Sequence, residues 1–369
     1  MSSPRLAIVL VHYHGATWLA RAVTALRADL AGGGLAAELI VVDNGSTPDE
    51  ARQIRELPVR CVDAGTNRGY AGGVNLGVAA TEADFLFAMN PDVEVLPGCI
   101  GALIERLRGS VAAVGPHFYW DRERRLSLPP TEKRTRTHEL LRALAPSGEF
   151  PARIARSLWR SHARKHWLSR GDLRSSSLSG ALLGWRRETW DRVGPFDEGY
   201  RLYFEENDWL ERVRATGLVS AYVRDAEAVH YFNQSARHAP QASTWFQESA
   251  ARYDARYYGK LFLALRHRCV LAAQGGSHRG RVHPSPLPAT GLDLSAPGLV
   301  GPVWIEVSPS PDGFPAAAER LETGRTALSG SCWELPDDVK AHVSPGDYRL
   351  RVVTDAGREL AEFAFRSGS

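Results

Sequence analysis

The chain has 369 residues, 44% hydrophobic and 24% charged, with a formal net charge of +3. That length allows one large core and a smaller second domain, and the charge balance excludes a global nucleic-acid or membrane signature. Four scattered cysteines, Cys61, Cys99, Cys269 and Cys332, form no C-x-x-C pair, which excludes a disulfide framework or a zinc site and indicates a reducing compartment.

Leu6 to Val11 reads as a buried strand closed by the polar cluster His12-Tyr13-His14-Gly15. No room for a signal peptide precedes it, so a cytoplasmic protein is expected. Thr17 is the expected cap of the next helix, whose apolar positions are Leu19, Val23 and Leu26. Leu39 to Val42 forms a second strand ending at Asp43-Asn44-Gly45-Ser46, and Thr47-Pro48-Asp49-Glu50 opens a second helix. Proline suits a first helical turn, and acids suit the positive end of the helix dipole. Val59 to Val62 is a third strand, followed by the glycine-rich stretch Asn67 to Gly77 and a helix over about 73–80.

Phe85 to Asp92 organises the rest: a short apolar run, buried on both faces, that ends in Asn90-Pro91-Asp92. Val111 to Pro116 adds a strand. Strands alternating with helices predict an α/β fold with a mostly parallel sheet flanked by helices.

Residues 122–174 differ in character, with fourteen Lys and Arg against five Asp and Glu, a balance of about +9. With Ile154, Leu158 and Trp159 as apolar positions of an amphipathic helix, the segment reads either as a solvated insertion of basic helices or as a surface for an anionic partner, such as a lipid-diphosphate acceptor or a membrane face. Strands are expected over 219–223 and 226–229, and helix over 243–272. The most apolar stretch, Leu261 to Ala273, is interrupted by Arg266, His267 and Arg268, short of the ~20 residues a membrane span requires. The domain reading is therefore 1–274 with the basic insertion, a linker over 275–299, and a small β-sandwich over 300–369. Trp304, Phe314 and Trp333 are either core of that sandwich or a sugar-stacking platform.

Four polar clusters fall where the carboxyl edge of the sheet is expected, the place where open α/β sheets bind ligands. They are His12 to His14, Asp43 to Ser46, Asn90 to Asp92, and Glu205 to Asp208 with His230 downstream. Asp43 can accept from a pyrimidine imide, or can bond its own turn. Asn67, Arg68, Gly69 and Asn75 offer a permissive backbone and a guanidinium for a diphosphate. Asp92 can bind Mg²⁺ or Mn²⁺ through oxygen, or can cap a turn. Glu205, Glu206 and Asp208 crowd three carboxylates at a helix start, a source for a general base or simply a solvated terminus.

These motifs together resemble inverting family 2 glycosyltransferases over residues 5–260. The ones that carry it are Val41 to Ser46, Asn67 to Gly77, Asn90-Pro91-Asp92, Ser179-Gly180-Ala181, Gly194 to Glu198 and Tyr203 to Asp208. Within that family the resemblance points to the bacterial rhamnosyltransferase and galactofuranosyltransferase branch. It implies a GT-A, Rossmann-like fold and a dTDP or UDP sugar donor contacted by Tyr13, Asp43, Asn67, Arg68, Gly69, Asn75, Asn90 and Asp92. It also implies a Mg²⁺ or Mn²⁺ ion on Asp92 and His230, and Glu206 or Glu205 as catalytic base. Gly180, Asp208 and Trp209 would face a glycan or lipid-linked acceptor. Two departures stand out: Asn90 and Glu206 occupy positions where the family pattern has aspartate. The expected reaction is transfer of rhamnose from dTDP-rhamnose in bacterial surface polysaccharide synthesis. The competing reading is a non-catalytic glycan-binding protein with a degenerate transferase core.

Overall fold

The computed structural model describes residues 5–131, 134–175, 177–232, 234, 241–274, 285–287, 291–292, 301–322 and 332–367. The expected linker therefore lies largely outside the described residues. The chain divides into two compact units, one of residues 1–118 with 169–257, the other of 119–168 with 258–369.

The chain opens with β1 (Leu6–His12), α1 (Ala16–Gly32), β2 (Ala37–Asp43), α2 (Pro48–Glu56), β3 (Arg60–Asp63) and α3 (Gly69–Ala79). β4 (Phe85–Met89), β5 (Val93–Val95), α4 (Cys99–Leu107) and β6 (Val111–Tyr119) follow. α5 (Arg136–Leu144) and α6 (Glu149–Trp167) occupy the basic segment. Then come β7 (Leu173–Ser175), β8 (Leu182–Arg186), α7 (Arg187–Val193), α8 (Glu205–Ala215), β9 (Val219–His230) and α9 (Ala242–Tyr257). The two strands expected over 219–229 are thus one, and the long helix expected over 243–272 breaks into α9 and α10 (Lys260–Gln274). The remainder is β10 (Ser285–Pro286), β11 (Val303–Ser308), β12 (Ala317–Leu321), α11 (Asp337–His342), β13 (Gly346–Thr354) and β14 (Glu359–Ser367).

The expected α/β class is observed in the first unit. Its nine-stranded sheet runs β3-β2-β1-β4-β8-β6-β9-β5, with β7 beside β9. The β3-β2-β1-β4 half is parallel, and β8 joins β4 antiparallel. Strand alternation divides the core between the two faces. Ile8, Leu10, Val41 and Phe87 point to one side with α1 and α4; Val9, Val11, Ile40, Val42 and Leu86 point to the other with α3 and α8. Because both faces are covered, these strands read as unbroken apolar runs. Register then lines up their ends: His12 stands opposite Asp43, Asp43 opposite Asp63, and Leu10 opposite Met89. α2 begins as expected, with Thr47 and Glu50 in a reciprocal capping box and Pro48 in the first turn. α1 begins earlier than expected, at Ala16, with Gly15 as its left-handed cap in place of Thr17.

The second unit holds a five-stranded sheet, β10-β14-β13-β11-β12. The second sheet is where the sequence placed one, but among the described residues its facing layer is a helix. Trp159, Ala163 and Trp167 of α6 pack on Trp304, Phe314 and Val353, while Ile305, Val307 and Leu350 fill the opposite side with Trp120 and Trp333. Trp304, Phe314 and Trp333 are therefore core. Residues 119–168, which hold most of the expected basic insertion, interrupt the first unit in sequence and belong to the second unit, where ion pairs neutralise part of their charge. Arg160 holds Glu306 with Nε at 2.8 Å from Oε1, both side chains buried, and Arg156 holds Glu359 at 2.8 Å. The face of α6 that packs carries Trp159 and Trp167; of the apolar stripe read from sequence, Trp159 is buried while Ile154 and Leu158 are exposed. Among the described residues no helix is long and apolar enough to cross a membrane.

Candidate active site

A cleft in the first unit opens at the carboxyl ends of the parallel strands β1, β2 and β4, where the strand order of the sheet reverses between β1 and β4. Tyr13, Asn67, Gly69, Asn90, Asp92 and His230, all singled out from sequence, line it. β5 pairs antiparallel with β9 so that Val93 faces His230, which carries the histidine to the turn after β4. Tyr231 N–H donates to the Asp92 carbonyl at 3.0 Å, and Gln234 N–H donates to Asp92 Oδ2 at 3.1 Å.

Asp92 is 4% exposed, and no hydrogen bond closes on its Oδ1, which faces His230 Nε2 at 3.4 Å. Burial opposes ionisation of this carboxyl, but the imidazole and the backbone donors outweigh it and hold its pKa below the ordinary value. Whether these residues suit a divalent cation can be judged from that orphaned oxygen. Mg²⁺ commonly takes one or two protein ligands and completes its shell with phosphate oxygens and water. Adjacent ligands of an octahedral ion with ~2.1 Å bonds lie about 3 Å apart, close to the separation here. A group of three or more ligating side chains is absent among the described residues, so the remaining positions would fall to a ligand's phosphates. The pair fits such an ion.

Glu205 and Glu206 open α8, behind two residues in the left-handed region, Tyr203 (φ 65) and Phe204 (φ 71). Such backbone is strained for non-glycine residues and persists where packing over-determines it; Tyr203 packs on Phe246 and Phe204 on Tyr253. Neither glutamate lines the cleft itself. Glu206 lies against Gly180, where a Cβ would come within 3.3 Å of its Cγ, and Tyr70 Oη donates to the Gly180 carbonyl at 2.9 Å. Tyr70 and Tyr203 do line the cleft; burial pushes both phenol pKa values up, and the charges of Glu205, Glu206 and Asp92 add to it. Burial raises Glu206 to about 7. Glu205 is also raised well above the ordinary glutamate range, by burial and by the neighbouring Glu206 charge, and its Oε2 is buried without a hydrogen-bond partner. One proton is thus readily held between two carboxyls at the rim of the cleft.

Other expected residues serve elsewhere. Asp43 is buried behind the cleft, its Oδ1 accepting from Ser46 N–H at 2.9 Å, the local turn contact. Arg68 turns outward to Glu198 at 3.3 Å, and Asn75 Nδ2 donates to the Phe196 carbonyl at 3.0 Å. Asp208 is buried in ion pairs with Arg212 and Arg256, both at 2.9 Å. Trp209 is core, packed in tilted and edge contacts among Trp185, Trp190 and Phe196, with Nε1 donating to the Gly194 carbonyl. Neither of these two lines the cleft.

Sequence reasoning passed over Asn44, Tyr70, Arg201, Phe232 and Trp245, which also line the cleft. Asn44 had a signal, since it lies in the quoted cluster after β2. Its Oδ1 accepts from Arg68 N–H at 2.8 Å and its Nδ2 donates to the Gly69 carbonyl at 3.2 Å, pinning the glycine-rich loop. Arg201 and Trp245 come together only in the fold.

Residues 7–167 match the description "Glycosyl transferase family 2". The chain is 31% identical over 251 residues to the N-acetylglucosaminyl-diphospho-decaprenol L-rhamnosyltransferase of Mycobacterium tuberculosis, covering 62% of this chain and 75% of that protein. It is 22% identical over 198 residues to the low-salt glycan biosynthesis hexosyltransferase Agl10 of Haloferax volcanii, covering 53% and 59%. Among solved structures, the mannosyltransferase PcManGT from Pyrobaculum calidifontis, in complex with GDP-Man and Mn²⁺, aligns with a TM-score of 0.47 and 15% identity over 75% of this chain and 74% of that one.

Proposed function

The chain belongs to glycosyl transferase family 2, and on that premise we propose that it transfers rhamnose from a dTDP donor, with inversion, to a hydroxyl of a lipid-diphosphate-linked glycan in surface polysaccharide synthesis. The sugar and acceptor follow the relative that shares 31% identity. The observation that carries the chemistry is the grouping at one sheet edge of the Asp92–His230 pair and, across Gly180 and Tyr70, the Glu205–Glu206 pair.

The residues divide the work as follows. Asn44, Asn67 and Gly69 shape the loop that receives the donor. Asp92 and His230 would hold Mg²⁺ or Mn²⁺, which supplies neutralising charge to the diphosphate when bound. Glu206, ionised, accepts the proton of the acceptor hydroxyl as that oxygen attacks the anomeric carbon. The bond from that carbon to the diphosphate oxygen breaks on the opposite face, so configuration inverts. Glu205, buried beside it, keeps the pair poised to hold one proton.

A membrane-bound acceptor would place the enzyme at an anionic lipid face, as a peripheral protein. Exposed Leu261, Leu265 and Leu271 on α10, beside Lys260, His267 and Arg268, support this reading.

Calorimetry with dTDP-, UDP- and GDP-sugars, with and without Mn²⁺, tests the proposal. Tight, Mn²⁺-dependent binding of dTDP-rhamnose is expected. Binding of no nucleotide-sugar would sink it and favour the glycan-binding reading with a degenerate core.

A further inference from the structure

The guanidinium expected to meet the diphosphate, that of Arg68, is held outside the cleft by Glu198, at 3.3 Å. The cleft has a different one. Among the described residues, Arg201 is the single Lys or Arg that lines it. It sits on the loop between α7 and α8, and the loop's backbone is fixed on both sides. The Arg201 carbonyl accepts from Tyr70 N–H at 3.1 Å, and Gly69 approaches so closely that a Cβ there would stand 2.4 Å from that oxygen. The next carbonyl, of Leu202, accepts from Ser249 Oγ of α9 at 2.9 Å. The side chain itself is exposed and lies over the indole of Trp245, 4.9 Å from guanidinium carbon to ring centroid. Among the described residues no carboxylate pairs with it, unlike Arg68, Arg212, Arg252 and Arg256 nearby.

A guanidinium stacked on an indole keeps its N–H edges available, and its planar fork matches two oxygens of a phosphate. The stacking also removes part of the side-chain freedom that binding would otherwise cost. The cleft, moreover, already contains a buried carboxylate, so an anionic ligand there needs a counter-charge besides any cation on Asp92. We infer that Arg201, held over Trp245, is the residue of this cleft that binds a diphosphate. The inference rests on the reading of the cleft as a glycosyl-transfer site. The diphosphate can belong to the departing nucleotide or to the lipid-linked acceptor.

The test compares the full-length chain with Arg201→Gln, Arg201→Lys and Arg68→Gln. Calorimetry with dTDP and with UDP in Mn²⁺ comes first, then steady-state transfer to a lipid-diphosphate acceptor; thermal melts confirm that each variant is folded. A bidentate charged hydrogen bond predicts that Arg201→Gln weakens nucleoside diphosphate binding by roughly 10- to 100-fold. Arg201→Lys should recover only part of it, and Arg68→Gln should cost less than Arg201→Gln. A rise in acceptor KM at unchanged nucleotide affinity and unchanged kcat would support the inference with the diphosphate assigned to the acceptor. Unaltered nucleotide affinity together with unaltered acceptor KM in Arg201→Gln, against a wild type that binds, overturns Arg201 alone. A wild type that binds neither nucleotide overturns the transferase reading and this inference with it.

Discussion

The carboxylate of Asp92 and the imidazole of His230 face each other at 3.4 Å because β5 pairs antiparallel with β9 and sets Val93 opposite His230. Neither residue could reach the other through local structure; the sheet register does it. Two atoms able to ligate a cation converge there, one of them a buried oxygen without a hydrogen bond. Asp92→Asn keeps the shape and removes the charge. The expected result is that Mn²⁺ no longer strengthens nucleoside diphosphate binding, a loss of about tenfold or more on the scale of one charged contact. Calorimetry at matched Mn²⁺ concentrations reads this directly, and a metal enhancement that survives the substitution would count against the Asp92–His230 site.

Glu206 is expected to be the base. Glu206→Gln should lower kcat by roughly 100- to 10,000-fold, the usual range for a general base, with nucleoside diphosphate affinity retained. The base works as the carboxylate, and burial raises its pKa to about 7. Activity should therefore fall as pH drops below about 7 and level off above it. Because Glu205 and Glu206 titrate as a pair, that limb belongs to both. A rate profile flat from pH 5 to 8 would remove Glu206 from the role.

The same shift has a consequence for stability. A glutamate whose folded pKa lies at about 7, above its ordinary 4.5, binds a proton more readily folded than unfolded. Its contribution is fully present below about pH 4.5 and is lost as pH rises through about 7. Glu206→Gln cannot ionise and escapes that loss. Its Tm relative to wild type should thus be higher at pH 8 than at pH 5, and an equal difference at both would show that Glu206 is not strained by ionisation.

Sheet edge and site were legible in the sequence to different depths. The apolar runs of β1, β2 and β4 and the polar residues that end them followed from strand burial alone, as did the capping box of Thr47 and Glu50. Trp209 shows where reading by neighbourhood fails. It lies three residues from Glu206, but on α8 the buried positions Glu205, Asp208, Trp209 and Val213 follow helical spacing, so Trp209 points to the core. Arg68 and Arg201 show the other limit. Both are arginines beside glycine-rich or aromatic loops, and only tertiary contacts, with Glu198 for one and Trp245 for the other, decide which guanidinium reaches the cleft. Net charge alone was no guide to the basic segment. Part of it, Arg156 and Arg160, neutralises Glu306 and Glu359 inside the second unit.

That buried pairing makes a stability prediction. Arg160 reaches Glu306 through Nε and Nη2, at 2.8 and 2.9 Å, with both side chains at most 5% exposed. Glu306→Ala leaves a buried guanidinium without its main partner, which costs about 3–5 kcal/mol. Arg160→Met with Glu306→Leu removes both charges and should recover most of that. Chemical denaturation of the three chains checks it; a Glu306→Ala chain as stable as wild type would mean that water reaches the pair.

Membrane attachment is the prediction that the exposed face of α10 makes. Leu261 is 89% exposed, Leu265 50% and Leu271 52%, an apolar surface that water disfavours. Lys260 and His267 lie beside these leucines and Arg268 among them, basic groups that would meet the head groups of an anionic interface. Burying a leucine is worth about 1.5–3 kcal/mol in full, and partial insertion of two gives a fraction of twice that. Leu261→Ser with Leu265→Ser should then weaken binding to anionic vesicles by roughly 10-fold or more. Raising the salt should weaken the wild type as well, since basic side chains contribute through a screened attraction. Sedimentation with phosphatidylglycerol vesicles, against phosphatidylcholine alone, measures both effects. Equal binding by wild type and the double variant would place the attachment elsewhere on the chain or with the acceptor alone.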